Sequence, residues 1–289
     1  MSKYLVTGAT GALGSRVIDS LLQRVPANDI AALVRDPKKK QPLTEKGVEI
    51  REGDYLDPSS LEQAFKGIDS LLLISAPAFT DATAQHANVI EAAKRCGVRH
   101  LIYAATQRVE GVDFEIPQVT EWDKKTEGLL EKSGLEVTIL RNSMYLDMLP
   151  IGFGKNVTEV GVRVPAGNGV AALASRHDLA EGAAAVLSGD GHEGKVYTLG
   201  NSRATSLSDI AAMISKVIGR KIDYRNVPVA EFVSARVQDG FPEPAATFFA
   251  AWFQAIAAGE FAEVTGDLER LIERKPQSVE EFLSAAYRA

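Results

Sequence analysis

The sequence predicts an α/β protein with a doubly wound parallel sheet and a smaller C-terminal α/β lobe. Three observations predict this fold class. Short apolar runs alternate with helical segments over the first 200 residues, a glycine precedes four of these runs, and three glycines at three-residue spacing follow the first. Because strand–helix–strand units join parallel strands, the alternation indicates right-handed βαβ units wound into a covered sheet.

The first strand lies at residues 4–6, and apolar residues at helical spacing predict a helix over 13–25. Further strands are predicted at 30–34, 48–50, 70–74, 100–103 and 137–140. The last four of these follow Gly47, Gly67, Gly97 and Gly134, and glycine ends helices because it adopts the left-handed conformation. Asp57 and Pro58 are typical of an N-cap and a first helical position.

Beyond Tyr145 the alternation weakens. A glycine-rich stretch over 150–169 is expected to be irregular, a helix begins near residue 175, and the run 195–199 is expected to return to the main sheet. After Gly200 we expect helices and one strand. The predicted domains are therefore 1–145 with 175–200, which binds a nucleotide, and 146–174 with 201–289, with a substrate cleft between them.

An aromatic helix is predicted in the second lobe. Phe248 and Trp252, like Phe249 and Phe253, are spaced i, i+4, which indicates core or subunit packing, and a lid over the substrate is the alternative. The apolar helix over 245–258 could also bury against a second copy, so a homodimer is one expectation.

The glycine run has the chemistry of a pyrophosphate site. Gly8 allows a tight turn, Gly11 lets the backbone approach phosphate oxygens, and Gly14 lets the helix pack on the sheet. Backbone N–H groups at the positive helix end would then hold the anion. The GxxGxxG spacing favours the atypical short-chain reductase variant of the Rossmann-type fold, although glycine triplets also occur in structural turns.

Arg35 ends the second strand, 21 residues after Gly14, near the position where dinucleotide folds recognise the ribose 2′ group. An acidic residue there is typical of NAD sites, whereas a guanidinium can bind a 2′-phosphate, so Arg35 favours NADPH. Asp36 leaves NADH open. Lys38, Lys39 and Lys40 are interpreted as solvated charges of a loop.

Composition excludes several classes of partner. The 289 residues are 45% hydrophobic and 24% charged, and the formal charge of −6 offers no basic face to nucleic acid. No apolar run approaches membrane-spanning length and no signal pattern opens the sequence, so we expect a cytoplasmic protein without membrane contact. The single Cys96 excludes an intrachain disulfide, and His86 and His100 lack a second ligand at i+4, so no metal site is predicted.

Seven segments resemble the NmrA-like atypical short-chain dehydrogenases, and among these the bacterial NADPH-dependent quinone oxidoreductase and triphenylmethane reductase group. The segments are GATGALG, VRDP, GDYLDPSSLEQAFKG, LLLIS, QHANVIEAAKRCGVRHLIY, TEGLLEKSGLEVTILRNSMY and HEGKVYTLGN. The resemblance is specific over the first 200 residues and faint over the last 80. It implies a Rossmann-type nucleotide domain and hydride transfer from NADPH to an electrophilic, often quinonoid, small molecule.

The resemblance also implies roles for individual residues. Thr10, Gly11, Ala12 and Leu13 would surround the phosphates and Arg35 would bind the 2′-phosphate. Asp54 and Tyr55 would flank adenine, while Ser75, Ala76 and Pro77 would line the ribose side of the nicotinamide cleft. With Gly8 and Gly14, these are the predicted cofactor-binding residues.

Ordinary short-chain dehydrogenases use a Tyr-x-x-x-Lys pair as proton donor. Matched to that pattern, this sequence has Asp123 for the tyrosine, Glu127 for the lysine and Ala105 for the accompanying serine. The related quinone and dye reductases also lack the pair and often carry histidine at the position of Asp123. Asp123 is a candidate proton donor if burial raises its pKa, and a solvated carboxylate on the helix surface is the alternative.

Two further catalytic candidates follow the sixth strand, since ligands collect beyond the carboxyl ends of parallel strands. Asn142 offers a donor and an acceptor, with backbone capping as its alternative role, and Tyr145 offers a flat wall with a hydroxyl. Arg141 is predicted to be a structural ion-pair residue.

These residues predict an NADPH-dependent oxidoreductase that reduces a conjugated small molecule by orientation in a dry cleft, without a Tyr/Lys pair. An NADP(H)-sensing regulatory protein with little turnover is the alternative. A sugar-nucleotide epimerase is disfavoured because the tyrosine base is missing.

Overall fold

The protein is described here by a computed structural model that covers residues 3–76, 80–112 and 114–288. Its strands are β1 (Tyr4–Val6), β2 (Ile30–Val34), β3 (Glu49–Glu52), β4 (Ser70–Ile74), β5 (His100–Thr106), β6 (Glu136–Asn142), β7 (Val162–Val164), β8 (Val170–Ala171), β9 (Val196–Leu199), β10 (Thr205–Ser206) and β11 (Tyr224–Asn226). Its helices are α1 (Gly14–Leu21), α2 (Gln41–Thr44), α3 (Pro58–Ala64), α4 (Ala82–Arg95), α5 (Thr120–Glu131), α6 (Leu149–Phe153), α7 (Val157–Val160), α8 (Arg176–Ser188), α9 (Leu207–Ile218), α10 (Val229–Gln238), α11 (Glu243–Ala258), α12 (Asp267–Ile272) and α13 (Val279–Tyr287).

The main sheet has seven parallel strands in the order β3-β2-β1-β4-β5-β6-β9. Tyr4 of β1 pairs with Ile30 on one side and with Ser70 on the other, so β1 lies between β2 and β4. Every residue of β2 is buried because helices cover both faces of the sheet. The predicted Rossmann-type fold is confirmed, as is the return of β9 to this sheet.

The four glycines that precede strands have the conformation expected of helix ends. Gly47, Gly67, Gly97 and Gly134 have φ values of +76°, +70°, +73° and +76°. Asp57 caps α3, because its carboxylate accepts hydrogen bonds from the N–H groups of Ser59 and Ser60. These local signals therefore set the ends of the helices as predicted.

Two compact units are present. The first consists of Met1–Thr106, Glu121–Arg141 and Arg176–Tyr197. Its core lies between the sheet and α3, α4 and α5, where the largest buried side chains include Phe65 and Tyr103. On the other face, α1 packs against α8.

The second unit consists of Gln107–Thr120, Asn142–Ser175 and Thr198–Ala289. Phe253 of α11 is fully buried and packs on Phe153 and Phe232, at ring-centroid distances of 6.1 and 5.6 Å. Phe248, Phe249 and Trp252 are half-buried against the same core. The core-packing interpretation of the aromatic helix is therefore confirmed.

Two expectations about the second half of the chain were wrong. The stretch 150–169 is not irregular throughout, because it contains parts of α6, all of α7 and β7. After Gly200 there are two short strands, β10 and β11, instead of one, and β11 pairs in parallel with β7. The predicted domain limits remain a prediction.

Candidate functional site

The glycine run forms a turn that only glycine can build at two of its positions. Gly8 has φ +58°, in the left-handed region, and its carbonyl oxygen accepts a hydrogen bond of 2.9 Å from the Gly11 N–H. A Cβ on Gly14 would lie 2.3 Å from the Gly8 carbonyl oxygen. The first turn of α1 therefore packs directly against the end of β1.

The start of α1 is suited to an anion. Leu13, which precedes the helix, makes no side-chain cap, and the first turn carries no acidic residue. Thr10, Gly11 and Ala12 are exposed, whereas Leu13 and Gly14 are buried. Free N–H groups at a helix start carry partial positive charge, so the exposed turn has the geometry to hold a pyrophosphate.

Arg35 lies at the carboxyl end of β2, where its side chain is exposed. Among residues 3–76, 80–112 and 114–288 it has no hydrogen-bond or ion-pair partner. The Asp36 carboxylate, in contrast, accepts the Lys38 N–H at 3.0 Å and caps the short 3₁₀ turn Pro37–Lys39. The guanidinium is thus available to a ligand while the neighbouring carboxylate is engaged.

Asp54 and Tyr55 follow β3. The Asp54 carboxylate accepts the Leu56 N–H at 3.0 Å. The Tyr55 hydroxyl donates to the Ile74 carbonyl oxygen at 3.0 Å and also lies against the Thr7 hydroxyl, and burial raises the pKa of Tyr55. This hydroxyl fixes the ring beside the ends of β1 and β4.

These residues surround a cavity of about 260 Å³ in the first unit. Its lining comprises Gly8, Thr10, Gly11, Leu33, Arg35, Gly53, Asp54, Tyr55, Ile74, Ser75, Ala76 and Gln85. Eight of the predicted cofactor-binding residues are among them. Pro77, also predicted, lies outside the described residues.

Four lining residues were not predicted: Leu33, Gly53, Ile74 and Gln85. Of these, Gly53 could have been found from the sequence, because it lies directly after β3 and before the predicted residue Asp54. A Cβ there would lie 2.9 Å from Leu33 Cδ1, so a larger residue would push on the wall of the cavity.

Asp123 is not a solvated surface carboxylate; that alternative is wrong. It is 3% exposed, and it accepts hydrogen bonds from the Tyr103 hydroxyl at 2.5 Å and from the Thr106 N–H at 2.8 Å. Burial, together with the negative charge of Asp123, raises the pKa of Tyr103 well above its usual value. Asp123 thus joins α5 to two residues of β5, and its role as a proton donor remains a prediction.

Glu127 binds Arg141 through two contacts, of 2.9 Å to Nη2 and 3.4 Å to Nε. Both side chains are mostly buried. The predicted structural ion pair of Arg141 is confirmed, and a carboxylate occupies the position that corresponds to the catalytic lysine.

Asn142 and Tyr145 belong to the second unit. The Asn142 carbonyl oxygen accepts the Gln107 N–H at 2.8 Å. Within the described part of the chain, the buried Asn142 Oδ1 has no hydrogen-bond partner, so the side chain does not cap the backbone through that atom. Tyr145 is half-buried at the start of a short turn. Contact of either residue with a substrate remains a prediction.

His86 makes a contact beside the cavity that the sequence did not predict. It is buried in α4, and its Nε2 accepts the Ala76 N–H at 2.9 Å. Nothing in the sequence near His86 points to this contact, because it depends on the packing of α4 beside the end of β4. Over the described ranges, no group of three or more histidine, cysteine or acidic side chains could hold a metal ion.

A curated relative and two solved structures match almost the whole of this chain. Quinone oxidoreductase 2 of Escherichia coli is 36% identical over 280 residues, which cover 96% of each chain. The structure of the Citrobacter sp. triphenylmethane reductase complexed with NADP(H) matches with a TM-score of 0.91 and 35% identity, covering 98% of this chain and 100% of that one. The structure of the E. coli quinone oxidoreductase with NADPH matches with a TM-score of 0.90 and 35% identity, covering 99% and 100%.

The model of the NmrA-like family matches residues 1–283. This match includes the last part of the chain, where the resemblance of the sequence segments is faint. Taken with the full-length similarity to the E. coli enzyme, it shows that the chain belongs to the NmrA-like family.

Proposed function

We propose that this protein is an NADPH-dependent oxidoreductase that transfers hydride to a quinone-like or other conjugated small molecule. The observation that carries the proposal is the cavity in which the exposed Arg35, which has no side-chain partner among the described residues, faces the same space as the glycine turn. The similarity of the chain to a quinone oxidoreductase and a triphenylmethane reductase supports a quinone-like or other conjugated acceptor.

The residues of the cavity fit a phosphorylated dinucleotide. The glycine turn and the start of α1 present backbone amides to the pyrophosphate, and Arg35 binds the 2′-phosphate through its planar fork. Asp54 and Tyr55 flank the adenine. Ser75 and Ala76 line the ribose at the nicotinamide end.

When bound, NADPH supplies the hydride. A conjugated acceptor stabilises the electron pair that it receives, so water can protonate the product and the residues of the chain mainly orient the reactants. Asn142 and Tyr145 are proposed to contact the acceptor because Asn142 is the last residue of β6 and Tyr145 follows its carboxyl end.

Asp123 is the residue of the chain proposed as a proton donor. The Asp123→Asn side chain has no carboxylic acid proton to donate, so this variant should lower kcat while the affinity for NADPH is kept. An unchanged kcat would show that Asp123 only makes its hydrogen bonds to Tyr103 and Thr106.

The assembly and location of the protein are also proposals. The predicted homodimer remains a proposal, and sedimentation velocity at several protein concentrations tests it. In the described ranges, no helix has the length and apolar character needed to cross a bilayer. The predicted cytoplasmic location remains a proposal.

The test of the activity is the loss of NADPH absorbance after adding benzoquinone, a naphthoquinone or a triphenylmethane dye. We expect steady consumption with at least one acceptor and none without acceptor. Saturable NADPH binding without turnover on any acceptor would contradict the proposal and support an NADP(H)-sensing protein instead.

A further inference from the structure

His86 makes a chain of hydrogen bonds that fixes its own tautomer. Thr126 Oγ1 donates to the Trp122 carbonyl oxygen at 2.8 Å, so this hydroxyl can only accept from His86 Nδ1, also at 2.8 Å. Nδ1 therefore carries the proton. The other nitrogen, Nε2, is left as an acceptor and receives the Ala76 N–H at 2.9 Å.

The Ala76 N–H needs this acceptor. Ala76 lies beyond the end of β4 at Ile74, where the strand ladder stops, and it is only 8% exposed. A buried N–H without a partner is unfavourable, and water does not reach this one freely. His86 is 0% exposed, so its ring holds the backbone of Ala76 from inside the unit.

The segment of Ser75 and Ala76, which the His86 ring holds through the Ala76 N–H, forms one wall of the cavity. Ser75 and Ala76 line it from the end of β4, and Arg35 lines it from the end of β2. Because β2 and β4 flank β1 on opposite sides, these two walls lie on either side of the glycine turn. A dinucleotide with its 2′-phosphate on Arg35 therefore extends across the turn and places its nicotinamide half at Ser75 and Ala76.

We propose that His86 is a positioning residue for the nicotinamide half of NADPH, and that it acts through the Ala76 N–H and is itself oriented by Thr126. The inference rests on the proposed function, since it assumes a dinucleotide in this cavity.

Two substitutions of His86 separate its two hydrogen bonds. His86→Gln places an amide oxygen near the position of Nε2 and can still accept the Ala76 N–H. His86→Asn places an amide nitrogen near the position of Nδ1 and can still donate to Thr126 Oγ1, but it does not reach Ala76. The glutamine variant thus keeps the contact that the proposal requires, and the asparagine variant loses it.

The measurement is the Kd for NADPH and for adenosine 2′,5′-bisphosphate, which lacks the nicotinamide half. We expect His86→Asn to raise the Kd for NADPH about fivefold, the factor for one lost hydrogen bond, and His86→Gln to change it less than about twofold. The Kd for the bisphosphate should stay within about twofold in both, since this probe does not reach the held wall.

Thr126 provides a second pair if the His86 variants fold poorly. Thr126→Val removes the acceptor for Nδ1–H and should raise the Kd for NADPH about threefold, whereas Thr126→Ser keeps the hydroxyl and the wild-type Kd. Thermal unfolding of all four variants shows which of them retain the fold.

Three results would overturn the inference: equal NADPH affinities in His86→Asn and His86→Gln, parallel losses for NADPH and the bisphosphate, or a wild-type Kd in Thr126→Val. All three presuppose that the wild-type protein binds NADPH. If the wild-type protein itself binds no NADPH, the proposed function fails, and the positioning role fails with it for that separate reason.

Discussion

A methyl group added at Gly14 should disable the glycine turn. A Cβ there would lie 2.3 Å from the carbonyl oxygen of Gly8, 2.8 Å from its carbon and 2.9 Å from Ala9 Cα, whereas ordinary contacts begin at 3.4 Å. All three atoms belong to the backbone, so no side chain can rotate away. Either α1 moves off the end of β1 or the turn opens.

Overpacking of this kind costs about 1–3 kcal/mol, and we expect Gly14→Ala to lose about 3 kcal/mol of unfolding free energy because the overlap is with backbone. In the folded fraction, the opened turn no longer presents its amides to the pyrophosphate. The Kd for NADPH should therefore rise at least about tenfold, since each 1.4 kcal/mol of lost binding is a factor of ten. Urea unfolding and NADPH titration measure the two effects.

Gly128→Ala is the matched control. Gly128 lies within α5, and a Cβ there meets nothing within 4 Å. Because alanine favours helices more than glycine does, this variant should gain up to about 1 kcal/mol and bind NADPH as the wild type does. Wild-type stability and affinity in Gly14→Ala would refute the packing argument.

Two further predictions concern ionisable groups. Burial lowers the pKa of His86 to about 4 in the folded protein, below the usual 6.5, so folding favours the neutral ring. The stability that the lowered pKa of His86 contributes is complete above pH 6.5 and is lost as the pH falls to 4, by about 3 kcal/mol in total. His86→Gln cannot titrate in this range, so it should flatten this part of the plot of urea stability against pH. An equally steep profile in the variant would exclude His86 as the cause. Glu127→Gln weakens the ion pair with Arg141 and should cost about 2 kcal/mol of stability, because the pair is mostly buried. It should not change kcat, because the pair does not line the cavity; a tenfold fall in kcat would contradict this.

Local sequence signals predicted the first unit well. A glycine with positive φ follows the helix before each of β3, β4, β5 and β6. This one residue type is therefore enough to mark where each of these helices stops. The pairing of β7 with β11 was not predicted. Val162–Val164 is only three residues long in a glycine-rich stretch, and its partner lies far along the chain, so neither strand has a local signal of its own.

The site was predicted where a motif sets the geometry and missed where packing sets it. Gly8, Gly11 and Arg35 could be found from the sequence, because the glycine motif marks the end of β1 and the distance from Gly14 to Arg35 marks the end of β2. Asp123 has exposed charged neighbours, Glu121 and Lys124, which conceal that its own side chain points to the sheet. His86 contacts Ala76 only because α4 packs beside the end of β4.

The most direct test of the account is the Kd of the wild type and Arg35→Ala for NADPH and NADH by isothermal titration calorimetry. We expect the wild type to prefer NADPH and Arg35→Ala to weaken NADPH binding about 10- to 100-fold, as for lost charge-assisted hydrogen bonds, with NADH changed less than about twofold. Lys38→Ala, in the same exposed loop, should leave both values unchanged. Equal affinities for the two coenzymes in both the wild type and Arg35→Ala would contradict the assignment of this cavity to a phosphorylated dinucleotide.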